Sequence, residues 1–349
     1  MSVPLYTLQP RALTVLFGDL ENQALNETHV LPGTPGSLLE RENAGGFRFY
    51  ARQYYDADGK KREQYVAGPI GQSAADEAAA VMRTRLEQQR RTLADIRLLG
   101  RSGFQVADAR AFATLASLHN HGVFRAGGVV VGSHAMGILL NQLGCRAAAY
   151  ATEDVDLARP QPLAFAELPA KSLLEMLQDS GISFVEVPAM SHQSPSTARK
   201  EPGRSRFHVD LLVPSPDDSF PIVPVPELRA HALGLPFLKY LLGETQAALL
   251  VSREGCCMVR VPVPERFAVH KMLVSQLRTE RSAKSGKDLL QAAILLSVLA
   301  EHHPGAIEDA LEAAPESATR HLRAAAEQIR HLVEPAHPRV VELLHAALP

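Results

Sequence analysis

Apolar residues recur along the chain with two periods. Spacings of three and four predict a long helix over residues 74–99, opened by Ser73 and carrying Asp76 and Glu77 in its first turn, where the helix dipole favours acids. The same periodicity predicts helices over residues 108–119, 134–143, 166–179, 227–242, 265–277 and 284–300, with an Ala- and Leu-rich helical stretch beyond residue 305. Pro264 suits the first turn of the helix it opens. Short apolar or alternating runs predict strands at residues 128–131, 153–157, 183–187 and 207–213, and a hairpin of 247–252 with 256–263. A further hairpin is expected near the N-terminus, where Asp56-Ala57-Asp58-Gly59 separates two runs containing aromatics. Residues 191–206 are polar, basic and rich in Ser and Pro, which predicts a mobile loop.

Together these elements give an α+β fold: a mixed-sheet core with flanking helices, an N-terminal hairpin-and-helix arm and a helical C-terminal lobe. The expected boundaries are residues 1–100, 101–263 and 264–349. With 349 residues the chain is long enough for a sizeable core, and 46% apolar against 21% charged residues excludes wholesale disorder and coiled-coil architectures. Three cysteines, two of them adjacent, form neither a disulfide framework nor a zinc-ligand spacing. The first twenty residues lack a basic start followed by an apolar run, and residues 122–140 are broken by Arg125, His134 and several glycines. No export signal or membrane span is therefore expected, and the location expected is cytoplasmic.

Charge nearly cancels in the total, with 36 Lys and Arg against 38 Asp and Glu. Its distribution is uneven. Residues 1–100 hold 12 basic and 12 acidic side chains, whereas residues 253–288 hold eight basic against four acidic. A local excess of this size suits a triphosphate, and the total disfavours a broad grip on long nucleic acid.

Three features carry candidate chemistry. Gly132-Ser133 joins a strand to a helix, where glycine permits a close backbone approach and the helix N-terminus and hydroxyl offer donors to a phosphate. Asp154 and Asp156, two apart on a strand, project from one face. Asp210 stands in a strongly apolar strand, facing away from Phe207, Val209 and Leu211, and a carboxylate there needs a partner. His208 shares its face and is a candidate to orient it or to touch substrate. Adjacent inward carboxylates call for a hard divalent cation, Mg²⁺ or Mn²⁺, of the kind used in phosphoryl transfer. Read singly, each feature also has a plain structural explanation: a strand-to-helix turn, a solvated acidic strand end, a basic helix face.

The order of strand, Gly-Ser, helix, Asp-x-Asp and a later single Asp resembles the nucleotidyltransferase superfamily typified by DNA polymerase beta and the antibiotic adenylyltransferases. More narrowly, the segment from Val263 to Lys271, followed by Arg281, Lys284 and Lys287-Asp288, is similar to the fourth motif of toxin-type nucleotidyltransferases of the AbiEii kind. Gln291 departs from that motif, which commonly has an aspartate there. The resemblance implies metal binding and catalysis by Asp154, Asp156 and Asp210, with nucleotide phosphates at Gly132, Ser133, Lys271, Arg281, Lys284 and Lys287. It implies transfer of a nucleoside monophosphate from ATP or another NTP to an acceptor hydroxyl on an RNA end such as that of tRNA, a protein or a small molecule. Two further readings remain: a non-catalytic nucleotide-binding or interaction module on the same fold, and a hydrolase with water as acceptor.

Overall fold

The computed structural model describes residues 4–148, 154–188, 194–277 and 283–348. Strand β1 (Tyr6–Leu8) and helix α1 (Arg11–Leu25) precede β2 (Ser37–Glu42), β3 (Arg48–Tyr55) and β4 (Lys61–Ala67), which form an antiparallel sheet in that order, and the long helix α2 (Ser73–Arg101). The expected hairpin is β3–β4, and Asp56 closes its turn by accepting from the backbone N–H groups of Asp58 and Lys60. Helix α1 was not expected. Its Phe17, Leu20 and Ala24 recur every three or four residues and are buried against Leu93, Ile96 and Leu99 of α2. Gln72, not Ser73, occupies the N-cap position of α2, and the Ser73 hydroxyl donates to Glu77 instead.

The core comprises α3 (Ala109–Asn120), β5 (Val129–Val131), α4 (Gly132–Gln142), β6 (Cys145–Ala147), β7 (Asp154–Ala158), α5 (Leu173–Gln178), β8 (Val185–Glu186), β9 (Ala198–Lys200) and β10 (His208–Pro214). It continues through β11 (Ile222–Val225), β12 (Ala230–Leu235), α6 (Leu238–Leu241), β13 (Thr245–Ser252) and β14 (Gly255–Pro262). Asp108 caps α3, accepting from the N–H groups of Arg110 and Ala111. The expected helix over 227–242 is corrected: the segment forms a short 3₁₀ turn, then β12, then the one-turn α6. Arg229 takes the left-handed conformation, φ 46°, which ends the 3₁₀ turn, and Ala230 and Ala232 then alternate into the core as strand residues. The helix expected over 166–179 shrinks to α5, and the strand at 183–187 to the two residues of β8. The loop expected at 191–206 contains β9, while residues 191–193 and Glu153 lie outside the described residues.

Among the described residues the main sheet runs β11-β12-β10-β7-β5, with β9 also alongside β10 and β8 beyond it. Strands β7 and β10 are parallel neighbours, and β5 is antiparallel to β7. Val155, Leu157, Val209 and Leu211 are buried on one face of the central pair, which turns the intervening polar residues to the other. The hairpin β13–β14 packs against α1, α3 and α4. Helices α7 (Pro264–Leu277), α8 (Ala283–His302), α9 (Ala306–Glu312), α10 (Thr319–Val333) and α11 (Pro338–Ala347) follow. From residue 292 to 300 every side chain of α8 is buried, so this helix is a central strut with its N-terminal end directed at the polar face of the sheet. No described helix is long and apolar enough to cross a membrane.

Candidate active site

Parallel pairing sets Asp154 opposite His208 and Asp156 opposite Asp210. Because both strands alternate in step, these four side chains make a two-by-two polar patch on one face of an otherwise apolar sheet. His208 links its corners: Nδ1 lies 3.1 Å from Asp154 Oδ1 and Nε2 lies 3.4 Å from Asp210 Oδ2. The bond to Asp210, the Arg206 carbonyl and the charge of Asp154 raise the histidine to about 9, so it is a cation at neutral pH. Burial and the adjacent Asp210 push the Asp156 carboxyl up to about 6, while Lys271 and His208 oppose that rise.

The turn from β5 into α4 reaches this patch from the side. Val131 pairs with Asp156 across the antiparallel β5–β7 ladder, and Gly132 follows with φ +67°. A β-carbon on Gly132 would fall 1.9 Å from Asp156 Oδ2, so only glycine leaves room for that carboxylate. Ser133 then directs its hydroxyl toward α8, where the Lys287 ammonium donates to it over 2.8 Å. Lys287 feels both Asp154 and Asp156, although burial and Lys271 outweigh them and lower its pKa.

Lys271 comes from α7. It is 8% exposed and donates to Asp288, itself 2% exposed, over 2.7 Å. The pair ties α7 to α8 and brings a positive charge within electrostatic reach of Asp156. Thus Gly132, Ser133, Asp154, Asp156, Asp210, Lys271 and Lys287 converge on one region. Lys284 is exposed on the first turn of α8, one turn before Lys287, and Arg281 lies outside the described residues.

A cleft of about 1510 Å³ opens beside the patch, lined among others by Ser133, His134, Asp154, Lys287 and Gln291. Arg110, Arg204 and Arg206 supply a basic part of its wall. Arg110 is held there by Glu201 at 2.8 Å and by Asp58 from the β3–β4 turn at 3.3 Å, so the N-terminal sheet reaches the rim. Sequence reasoning missed this wall; its only signal was the basic character of the segment preceding β10.

The donor set suits a hard cation. Carboxylate oxygens are the ligands magnesium and manganese prefer, and two carboxylates whose mutual repulsion raises one pKa are relieved by positive charge between them. Among the described residues no group of three or more His, Cys, Asp or Glu side chains is placed to hold a metal ion.

Residues 109–316, more than half of the chain and spanning everything from α3 to the end of α9, match the family described as Nucleotidyltransferase. The chain belongs to that family. The matched stretch contains both strands bearing the carboxylates, the Gly132-Ser133 turn and the α7–α8 pair, and this nucleotidyltransferase is accordingly an enzyme that transfers nucleoside monophosphates. The match carries no support for the narrower likeness to AbiEii-type toxins. No curated protein and no solved structure matches the nucleotidyltransferase.

Proposed function

We propose that this nucleotidyltransferase moves a nucleoside monophosphate from an NTP to an acceptor hydroxyl at the patch formed by Asp154, Asp156 and Asp210, in a reaction that depends on magnesium or manganese. The observation that carries the reading is the register of β7 and β10, which sets Asp156 beside Asp210 and leaves Asp154 on the same face, opposite the Ser133–Lys287 contact. Asp154 and Asp156, with Asp210 beside them, would hold a divalent cation, which would supply charge neutralisation at the reacting phosphate.

The chain's own groups then have distinct tasks. The N–H groups at the start of α4, the Ser133 hydroxyl and the Lys287 ammonium receive phosphate oxygens, a task suited to a helix N-terminus and a point cation. Lys271, fixed by Asp288, lies close enough to stabilise Asp156 in its charged form. Asp210 accepts the proton of the attacking hydroxyl as its oxygen bonds to the α-phosphorus, and the bond to pyrophosphate breaks. Burial of Lys271, Asp288 and Gln291 holds this end of α8 rigid, which favours in-line positioning.

The basic wall formed by Arg110, Arg204 and Arg206 lines the same cleft and favours an acceptor with negative charge, such as an RNA end or an acidic protein segment. Incubating the protein with each α-labelled NTP, magnesium, total RNA and total cell protein tests the reading. Label is expected in one macromolecular fraction, and label in neither fraction with any NTP would refute a macromolecular acceptor.

A further inference from the structure

The wall of the cleft holds a buried polar group that no described residue satisfies. Gln291 on α8 is 1% exposed, and its Oε1 has no hydrogen-bond partner among the described residues. The side chain nevertheless lines the cleft together with Ser133, His134 and Lys287. Nε2 of His134 is likewise buried without a partner among the described residues. Burying an amide oxygen unpaired is costly, and native structures tolerate it where a ligand completes the bond.

The chemistry of that missing partner is restricted. An amide oxygen only accepts, so it does not pair with phosphate oxygens that are themselves acceptors. Its partner is a donor. Gln291 follows Lys287 by four residues and so lies one turn further along the same helix face, about 5–6 Å away. Lys287 is the residue that meets Ser133 at the turn read above as the phosphate site. The next group along a nucleotide from its phosphates is the sugar, and the base comes after it.

We infer that Gln291 reads a ribose hydroxyl of the bound nucleotide, its Oε1 accepting the hydroxyl proton while His134 offers the neighbouring polar contact. This makes Gln291 a specificity-determining residue that selects ribonucleotides over deoxyribonucleotides. It also gives a reason for glutamine at a position where a carboxylate would add charge close to the triphosphate. The inference rests on the proposed placement of phosphates at Ser133 and Lys287.

The test is calorimetric binding, with magnesium, of the α,β-methylene analogues of the four ribonucleoside triphosphates, followed by the 2′-deoxy and 3′-deoxy counterparts of the tightest. The wild type is expected to bind the ribo form about tenfold or more tightly than one deoxy form, whose identity names the hydroxyl read. Gln291→Leu should bring the two within about twofold by losing ribonucleotide affinity alone, with deoxy binding unchanged. Gln291→Met, closer in length, serves if the leucine variant fails to fold. Equal wild-type affinity for ribo and deoxy forms, a preference that survives substitution, or equal weakening of all analogues would overturn the inference while leaving the nucleotide site intact. Absence of binding to every ribonucleotide analogue would overturn the placement of phosphates on which it rests.

Discussion

A β-carbon on Gly132 would stand 1.9 Å from Oδ2 of Asp156, so the turn that begins α4 and the carboxylate at the centre of the patch are made for one another. Gly132→Ala meets two penalties. Its φ of +67° costs an L-residue about 1–2 kcal/mol, and the methyl group must displace the carboxylate. The variant is expected to melt at lower temperature and to lose activity by at least about a hundredfold, because Asp156 no longer occupies its place. Thermal unfolding and pyrophosphate release, measured together, check both parts.

Asp156 itself is held at a cost to the fold. Its folded pKa of about 6 lies above the ordinary 3.8, so the folded state keeps this proton more tightly than the unfolded chain. That contribution to stability is fully present below 3.8 and is lost as pH rises through 6. Asp156→Asn removes the titration. Without divalent metal it should therefore raise the melting temperature at pH 7–8, with little gain at pH 4, although it abolishes transfer. Melting curves at the two pH values decide the matter, and a variant less stable than wild type at both would contradict the electrostatic origin.

The shared face of Asp154, Asp156 and Asp210 was legible because they interrupt strands whose other positions are apolar and alternate cleanly. What the sequence could not convey was register. Nothing in the runs around residues 155 and 209 says that His208 falls opposite Asp154, and the histidine's bridging position follows only from that pairing. The pairing of Lys271 with Asp288 depends in the same way on how α7 packs along α8. The misread helix over 227–242 has leucines at helical spacing, yet the left-handed Arg229 and the pairing of β12 with β10 and β11 override local propensity. In α1 the helical spacing of Phe17, Leu20 and Ala24 was present but was obscured by the turn residues and aromatics around it.

Lys287 and Ser133 are expected to separate binding from folding. The ammonium is part-buried and its hydroxyl partner Ser133 is neutral, while its coupling to Asp154, Asp156 and Asp288 is electrostatic. Losing a charged contact to phosphate should raise the KM for NTP about tenfold to a hundredfold, with a smaller rise for Ser133→Ala. Steady-state pyrophosphate release against NTP concentration measures this, and an unchanged KM in Lys287→Ala would remove the lysine from the nucleotide site.

Lys271 and Asp288 behave differently because both are buried. Removing Asp288 takes the hydrogen-bonded partner from the buried Lys271 ammonium and should cost about 3–5 kcal/mol, whereas Lys271→Met combined with Asp288→Leu should cost less than the sum of the two single changes. A double-mutant cycle in urea measures the coupling. The doubly apolar protein, even when folded, should transfer poorly, since the larger of the two positive charges that oppose the rise of the Asp156 pKa is gone.

The most direct test of the account compares the wild type with Asp156→Asn and Asp210→Asn, each shown to be folded, for pyrophosphate release from α-labelled NTPs with magnesium and the labelled acceptor fraction. Release matched mole for mole by label on the acceptor is expected in the wild type, with a fall of at least about a thousandfold in both variants. Equal rates in all three proteins would contradict it.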